Sequence, residues 1–470
     1  MLGLVLTLMA PVQAPVEPPA PTVSAEERTA VYFESIRRDP VALRPFLRAL
    51  PKGGDLHSHL TGSGYAESYL RWAAEDALCV DTGTHTILAE REPCDAAQGR
   101  RPAKDAIRDG VFHDALVDAM SVRYQHPARG AGEYQFFGAF RHLGPLTRSR
   151  RGDLLAEVRR RAASQNVSYL ELTTTWDVAA AYQAAEKVEW SDDLSVLRER
   201  LLAAGLRDAA PTTHLDASER RAGELLRCGS ADADPGCAVT VRYHAESYRG
   251  IAPVAAFAMM VWSFLQNEAD PRFVGINLVM PEDGPIALRD YDLHMSMVAF
   301  LRGLHPAVKV SLHAGELGFG QVPPEELGTH VEKAIRVAGA RRIGHGSDVA
   351  YHPRPRALME EMKQKDVAVE VCLSSADIIL GLRGERHPLR AYLNAGVPVV
   401  IATDDEGVAR SDLTHEYLRA VLEHGLGYRE LKRISRDSLR YAFLEDAEKR
   451  RLLERLDEAF ARFESGEDAR

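Results

Sequence analysis

Short apolar segments recur along the chain, and most of the stretches between them place their apolar side chains at helical spacing. The short segments are rich in β-branched residues and lack a polar face, which is typical of parallel strands that are buried on both sides. Helices are predicted between them at Leu194–Ala204, Tyr291–Leu304, Leu327–Ala338 and Pro355–Lys365. The eight predicted strands are Gly54–Leu60, Val167–Thr173, Ala238–Tyr243, Phe273–Val279, Val308–His313, Arg342–His345, Val367–Leu373 and Val397–Thr403.

Eight alternating strand and helix units predict an α/β fold, a closed (β/α)8 TIM-type barrel with right-handed crossovers. A doubly wound open sheet is the alternative, which is disfavoured because no G-x-G-x-x-G follows the first strand. Residues 61–166 are far more than one helix needs, so we expect an inserted subdomain after strand one, at about residues 73–130, with a helix near Val111–Tyr124.

The predicted organisation has four parts. A leader occupies residues 1–24, an N-terminal helical segment 25–50, the barrel 51–424 and C-terminal helices 425–470. The helical spacing runs from Glu26 to Leu50 and reappears at Leu413–Leu422 and Tyr428–Phe463, so we expect extra helices at both ends of the barrel.

The first residues, M-L-G-L-V-L-T-L-M-A-P-V-Q-A, are similar to the apolar region of a secretory signal and are too short to span a membrane. Pro15 and the lack of a preceding Lys or Arg count against a signal, and a disordered cytoplasmic tail is the alternative. We predict a periplasmic or secreted protein without stable membrane insertion.

Five cysteines fit export. Cys79 and Cys94 flank one polar stretch, and Cys228 and Cys237 flank another, so two local disulfides are the simplest arrangement in an oxidising compartment. Cys372 lies in a strand-like segment and is expected to be a buried thiol. Five reduced cysteines in a cytosolic enzyme are the alternative.

The net charge of −10 gives no basic footprint for nucleic acid. We therefore expect a small-molecule partner. Whether the chain forms a homodimer, for example through the inserted subdomain, is left open.

Residues of the kinds that bind metals follow or end several predicted strands. Each is a weak signal alone, because a single His after a strand is more often structural. Together they offer three imidazoles and a carboxylate for one metal, with an acid, an imidazole and a carboxylate left over, which suits a metal that activates water. The motifs are D-L-H-S-H-L (His57, His59), S-L-H-A-G-E (His313, Glu316), R-I-G-H-G (His345) and I-A-T-D-D (Asp404, Asp405).

Barrel topology predicts that these side chains meet. His57 and His59 share one face of strand one. Asp404 ends strand eight, which adjoins strand one in a closed barrel, and His313 ends strand five across it, so ligands can converge at the C-terminal mouth. Imidazoles and a carboxylate suit Zn²⁺, and Fe²⁺ or Mn²⁺ are the alternatives. Strand four, F-V-G-I-N-L-V, offers no Lys to bridge a second metal, which predicts one ion per chain.

The series H-x-H-L-x-G, H-A-G-E, R-I-G-H-G and T-D-D resembles that of the adenosine deaminases in order and spacing, from about Pro51 to Tyr417. The cysteine-bearing insertion and N-L-V-x-x-E-D (Asn277–Asp283) are most similar to the secreted branch, the adenosine-deaminase-related growth factors. The resemblance implies a purine nucleoside substrate, with zinc-dependent deamination of adenosine or 2′-deoxyadenosine to the inosine product and ammonia.

The resemblance also implies residue roles. Glu316 would be the proton shuttle, and His345 and Asp405 would position the attacking water. The implied zinc ligands are His57, His59, His313 and Asp404.

The predicted substrate-binding residues are Thr61, Met280 and Asp405, and departures from the family pattern fall on the first two and on the residue that follows the third. Thr61 replaces an Asp that many members use for a ribose hydroxyl. Met280 replaces a Gly that lets the purine approach the backbone, and Glu406 replaces a Pro after Asp405. We therefore expect altered selectivity.

Two other functions are considered. One is deamination of another 6-aminopurine, such as adenine, a modified nucleoside or a nucleotide, for which Arg383 and Arg386 are candidate phosphate ligands. The other is a secreted ligand or binding protein that kept the barrel and lost catalysis, which the intact set of chemical groups disfavours.

Overall fold

The computed structural model describes residues 23–123, 132–176, 178–206 and 213–466, so the predicted leader lies almost wholly outside the described residues. The strands are β1 Gly53–His59, β2 Leu78–Asp81, β3 Thr86–Arg91, β4 Arg100–Pro102, β5 Val167–Thr174, β6 Thr240–Tyr248, β7 Phe273–Val279, β8 Ser311–Ala314, β9 Arg342–His345, β10 Ala368–Val371 and β11 Val399–Ile401.

Eight of these strands, β1 and β5 to β11, form the predicted barrel. They make two four-stranded parallel sheets, in the orders β1-β5-β6-β7 and β8-β9-β10-β11. Parallel bridges Ser58–Asp404 and Ile276–Val310 join the sheets at both seams, so the strands close in chain order. At the first seam the His59 N–H donates to the Asp404 carbonyl and the Asp404 N–H to the His57 carbonyl, each at 2.9 Å. The (β/α)8 prediction is confirmed, and closure brings strand one beside strand eight.

Helices cover the outside of the barrel and both of its ends. They are α1 Ala25–Ile36, α2 Pro40–Ala49, α3 Ala66–Glu75, α4 Gly110–Ala119, α5 Gly132–Ala139, α6 Leu146–Ser149, α7 Arg151–Ser164, α8 Ala179–Ala185, α9 Leu194–Leu201, α10 Thr213–Leu225, α11 Pro253–Ala269, α12 Pro285–Arg289, α13 Tyr291–Leu304, α14 His330–Lys333, α15 Pro355–Gln364, α16 Leu373–Leu380, α17 Leu389–Ala395, α18 Glu406–Ala409, α19 Leu413–His424, α20 Tyr428–Arg440 and α21 Asp446–Ser465.

The terminal helices differ from the prediction, because each long helical pattern is two helices. The N-terminal pattern breaks at Asp39, whose carboxylate accepts hydrogen bonds from the N–H groups of Val41 and Ala42 and so caps α2. Pro40 then begins α2, a position where its missing N–H costs nothing. The C-terminal pattern is likewise interrupted between α20 and α21.

Strand β6 also differs from its prediction, since it runs on to Tyr248 instead of ending at Tyr243. The added residues include His244 and Glu246, whose polar side chains hid the strand from the apolar pattern. The extension matters because it brings Glu246 to the mouth of the barrel.

The inserted subdomain contains a three-stranded antiparallel sheet in the order β3-β2-β4. A disulfide joins Cys79 to Cys94 within it, and a second joins Cys228 to Cys237, while Cys372 is a buried free cysteine. The cysteine pairing is therefore confirmed, and the domain boundaries stay predictions. Among the residues that the structure describes, no helix is both long enough and apolar enough to cross a bilayer.

Candidate metal centre and substrate cavity

Four predicted ligand atoms converge at the C-terminal mouth of the barrel. His57 Nε2 lies 3.0 Å from His313 Nε2 and 3.5 Å from Asp404 Oδ1. His59 Nε2 lies 3.2 Å from His313 Nε2 and 3.3 Å from the same Asp404 oxygen. Zinc–nitrogen bonds of about 2.0–2.1 Å in a tetrahedral site place ligand atoms roughly 3.3–3.4 Å apart. These four distances are those expected between ligand atoms of one metal ion, and all four atoms lie within 4.8 Å of one another.

Hydrogen bonds from the outer ring nitrogens orient two of the imidazoles. His57 Nδ1 lies 2.7 Å from Glu370 Oε2, and His313 Nδ1 lies 2.9 Å from Asn277 Oδ1. Each of these bonds uses Nδ1–H and leaves the Nε2 lone pair for the cluster. Burial lowers the pKa of His313 well below its usual range and keeps that ring neutral, as a metal ligand must be. For His57 the lowering by burial is outweighed by Asp404 and Glu370, which raise its pKa to about 10, so a metal ion would displace a proton from this ring. The four residues fit one divalent cation.

Backbone strain and close glycine contacts fix the centre. His345 and Asp404 have φ angles of 65° and 62°, in the left-handed region that disfavours side chains. A Cβ at Gly62 would overlap the Asp405 carboxyl, and a Cβ at Gly344 would lie 2.6 Å from the imidazole ring of His57. Glycine in H-x-H-L-x-G and R-I-G-H-G is thus needed to leave room for the site.

Glu316, His345 and Asp405 stand beside the ligands with unused hydrogen-bonding capacity. Within the described part of the chain, Glu316 Oε1, both ring nitrogens of His345 and Asp405 Oδ1 are buried and have no hydrogen-bond partner. His345 Nδ1 lies 3.5 Å from Glu316 Oε1. Buried polar atoms are nearly always paired, so this group has the capacity to bind water, a metal or a substrate.

Burial also sets the protonation of these three groups. It raises the pKa of Glu316 well above its usual range, and the neighbouring Asp404 carboxylate adds to the effect. Burial and Asp404 likewise raise the pKa of Asp405 to about 8. Burial lowers the pKa of His345 to about 4 and leaves its ring neutral. A buried carboxyl with a raised pKa beside a neutral imidazole is suited to general acid–base catalysis.

The H-A-G-E turn is held by two residues that were not predicted from the sequence, Glu282 and Arg249. Glu282 accepts hydrogen bonds from the backbone N–H groups of Gly315 at 3.0 Å and Glu316 at 2.9 Å, and from His330 Nδ1 at 2.5 Å. The guanidinium of Arg249 lies 3.6 Å from the Glu282 carboxylate. It also donates a hydrogen bond to the backbone carbonyl of His313. The segment N-L-V-x-x-E-D contains Glu282, but no sequence signal pairs it with this turn.

A buried ionic network beneath the ligands was missed as well. Arg342 bonds Glu370 and Glu171, each at 2.5 Å, and Glu171 lies 2.7 Å from His244 Nε2. Arg342 begins β9, whereas His345 ends it, so the network forms the floor of the site. Charged residues inside otherwise apolar strands, as in V-S-Y-L-E-L-T and V-A-V-E-V-C-L, were the available signal.

A cavity of about 580 Å³ opens onto the ligand cluster. Its walls include His59, His313, Glu316, Asp404 and Asp405, together with the two predicted substrate-binding residues Thr61 and Met280. Met280 has a φ of 84° and is 40% exposed, so a strained methionine stands at the wall. Arg383 and Arg386 do not line this cavity, and Arg383 pairs with Glu423 at 3.2 Å.

The fold and the site together define a barrel protein with a metal-type ligand cluster at its mouth. The sequence profile of the family described as adenosine deaminase matches residues 152–459. The chain belongs to the adenosine deaminase family.

Relatives and solved structures show how far the similarity extends. An adenosine deaminase of Salmonella typhimurium is 36% identical over 153 residues, 32% of this chain and 42% of that protein. The chain thus spans about two fifths of the length of this relative. A crystal structure of an N6-mAMP deaminase from Arabidopsis covers 88% of this chain and 99% of its own, with a TM-score of 0.55 and 20% identity. An amidohydrolase from Burkholderia ambifaria with bound Zn covers 90% and 94%, with a TM-score of 0.54 and 16% identity. At these identities the solved structures establish the shared fold alone.

Proposed function

We propose that the protein hydrolytically deaminates adenosine and 2′-deoxyadenosine to inosine and 2′-deoxyinosine. One Zn²⁺ would be held by His57, His59, His313 and Asp404. One observation carries the proposal: four metal-type ligand atoms within 4.8 Å of one another lie beside three buried groups with unpartnered polar atoms, where a cavity opens onto them. Membership of the adenosine deaminase family supports the same activity.

Water replaces the 6-amino group in this reaction, and ammonia leaves. A zinc ion in such a site supplies a water acidic enough to attack at neutral pH. Glu316, whose pKa burial raises well above its usual range, donates a proton to ring N1 and makes C6 electrophilic. The protonated ring then accepts the attack of water at C6. The attacking water gives up both of its protons. Glu316 carries one to the 6-amino group, which leaves as ammonia with the electron pair of the C–N bond, and the other proton restores Glu316 as the oxygen becomes the 6-oxo group.

His345 and Asp405 orient the attacking water. Their unpartnered atoms lie beside the ligands, on a backbone that cannot relax because His345 is held in the left-handed region. Groups fixed in advance cost little reorganisation when charge develops on the attacking oxygen. Asp405 also lines the cavity, which suits a second contact with the purine.

Export remains part of the proposal. Two disulfides are compatible with a periplasmic or secreted location, because such bonds persist in oxidising compartments. The homodimer stays a prediction.

The proposal is tested by incubating purified, zinc-loaded protein with adenosine, 2′-deoxyadenosine, adenine and AMP and measuring ammonia release. We expect turnover of the two nucleosides. Release from adenine or AMP alone would replace the substrate with another 6-aminopurine. No release from any of the four would contradict deamination and favour a binding protein on the same barrel.

A further inference from the structure

Glu246 is an acidic residue of the cavity that the deamination chemistry does not use. It lies near the end of β6, is partly exposed, and lines the same cavity as Glu316 and Asp405. Its strand position is opposite Asn277, the residue that orients one of the imidazole ligands. Glu246 is thus at the level of the reacting groups but on another wall.

Glu171, on the neighbouring strand β5, has both of its carboxylate oxygens hydrogen-bonded. Glu171 accepts from the Tyr169 hydroxyl and the Phe443 N–H, each at 2.7 Å, in addition to its ionic partners. Glu246 has a backbone N–H from Thr175 and a long contact of 3.4 Å from the Tyr248 hydroxyl. No ion pair reaches it within the described ranges. A carboxylate can accept about four hydrogen bonds, so Glu246 retains acceptor capacity at the cavity wall.

The surroundings of Glu246 suit hydroxyl groups. Strands β1, β5 and β6 are neighbours in the sheet, and they bring Thr61, Thr173 and Glu246 to one arc of the wall. Thr173 Oγ1 is buried and has no hydrogen-bond partner among the residues described. This arc, which we call the polar arc, is defined by Thr61, Thr173 and Glu246.

The remaining wall suits a flat apolar group. Phe136 and Phe137 on α5, Phe140 just after it, and Val279 and Met280 around the end of β7 supply aromatic and aliphatic surface. A nucleoside has the matching division, because its base is flat and its sugar carries hydroxyl donors. Aromatic side chains stack on any base, whereas a carboxylate is an acceptor for hydroxyl donors.

We propose that Glu246 is the specificity residue for the sugar of the substrate, accepting hydrogen bonds from its hydroxyl groups, with Thr173 beside it on the polar arc. This inference rests on the proposed deamination, since it assigns the part of the substrate that does not react. It also predicts selection against nucleotides. On this wall, among the residues that the structure describes, the carboxylate of Glu246 stands with one arginine, Arg141, so a phosphate that met Glu246 at the sugar end would be repelled.

The substitution Glu246→Gln tests the assignment, because it keeps the size of the side chain and removes its charge. A hydrogen bond to a charged group contributes about tenfold or more in affinity. We expect kcat/KM for adenosine to fall about tenfold, mainly through a higher KM. Adenine has no sugar, so the preference for adenosine over adenine should fall by the same factor. The ratio for AMP over adenosine should rise. Glu454→Gln, an exposed change on α21, should leave all ratios as in the parent.

A binding measurement separates this inference from the deamination proposal. Inosine and hypoxanthine, which differ by the sugar, are titrated into parent protein, Glu246→Gln and Glu246→Asp by calorimetry. We expect the parent to bind inosine more tightly than hypoxanthine, and this preference to be about tenfold smaller in both variants.

An unchanged preference for inosine in folded variants overturns the role of Glu246, whatever their deaminase activity. A parent that deaminates adenine and ignores the sugar overturns it as well, while deamination stands. If neither variant folds, the parent's preference of inosine over IMP decides, and equal affinity contradicts the inference.

Discussion

The floor and the mouth of the barrel are both built from buried charged residues, but they use them differently. On the floor, Glu171, Glu370 and Arg342 fill one another's hydrogen bonds at 2.5–2.8 Å, with help from Ser311. At the mouth, a few residues along the same strands, buried carboxyl and imidazole groups have atoms with no partner in the described chain. On the floor, the carboxylates and the guanidinium have their hydrogen bonds filled and His244 Nδ1 alone of this network is unpartnered among the described residues, whereas several carboxyl and imidazole atoms at the mouth are left for a ligand.

The two regions are connected through one residue, Glu370. One of its oxygens bonds Arg342 and Ser311 on the floor, and the other bonds His57 in the ligand cluster. Stability and chemistry are therefore built on shared strands but on separate atoms. Substitutions should separate them, and the following predictions do so from the largest expected effect to the smallest.

Replacing Glu316 by Gln should have the largest effect and should act on the mouth alone. An amide cannot relay a proton, so turnover should fall by roughly 10²-fold or more. Metal content and unfolding midpoint should stay close to those of the parent, which ammonia-release kinetics, elemental analysis and urea denaturation measure. Parent-like turnover in this variant would remove Glu316 from the reaction.

Replacing Arg342 by Met should act on the floor. The change leaves the carboxylates of Glu171 and Glu370 without their cation, and breaking a buried pair in this way costs about 3–5 kcal/mol. Urea unfolding should show that loss, with Arg455→Met on the exposed face of α21 as the control. A loss below about 1 kcal/mol would mean that the floor network does not stabilise the barrel.

The Cys228–Cys237 disulfide lies in neither region, so replacing both cysteines by Ser shows how a loss of stability elsewhere affects metal content. The bond closes a loop with a sequence separation of 9, so its loss should cost about 2–3 kcal/mol without changing metal content. In the parent, thiol titration of denatured, unreduced protein should find one group, Cys372. Five reactive thiols would contradict the oxidised state.

Replacing Met280 by Gly should have the smallest effect on stability. Met280 occupies a left-handed backbone that glycine adopts without strain, so the variant should gain about 1 kcal/mol. It should also shift the kcat/KM ratios of adenosine, 2′-deoxyadenosine and adenine, because Met280 lines the cavity. Unchanged ratios would mean that Met280 does not contact the substrate.

The parts that could be predicted from sequence are those that repeat or stand alone. Strand periodicity predicted the eight barrel strands, and isolated motifs predicted the residues that converge at the mouth. Glu246 was missed because its strand segment, H-A-E-S-Y, lacks an apolar pattern. Glu282 and Arg342 were missed because their partners are remote in the chain, at His330, Glu171 and Glu370. Pairing over such distances follows from barrel closure, which no local pattern encodes.

Metal content tests the central claim most directly, because the claim is that His57, His59, His313 and Asp404 form one metal site. Parent protein, His59→Ala and a control variant are purified in the same way, dialysed against zinc-buffered solution and analysed for zinc. The control is His113→Ala, which changes a partly exposed histidine on α4. The account predicts about one zinc per chain in the parent and in His113→Ala, and little in His59→Ala. A full equivalent of zinc in folded His59→Ala would contradict it.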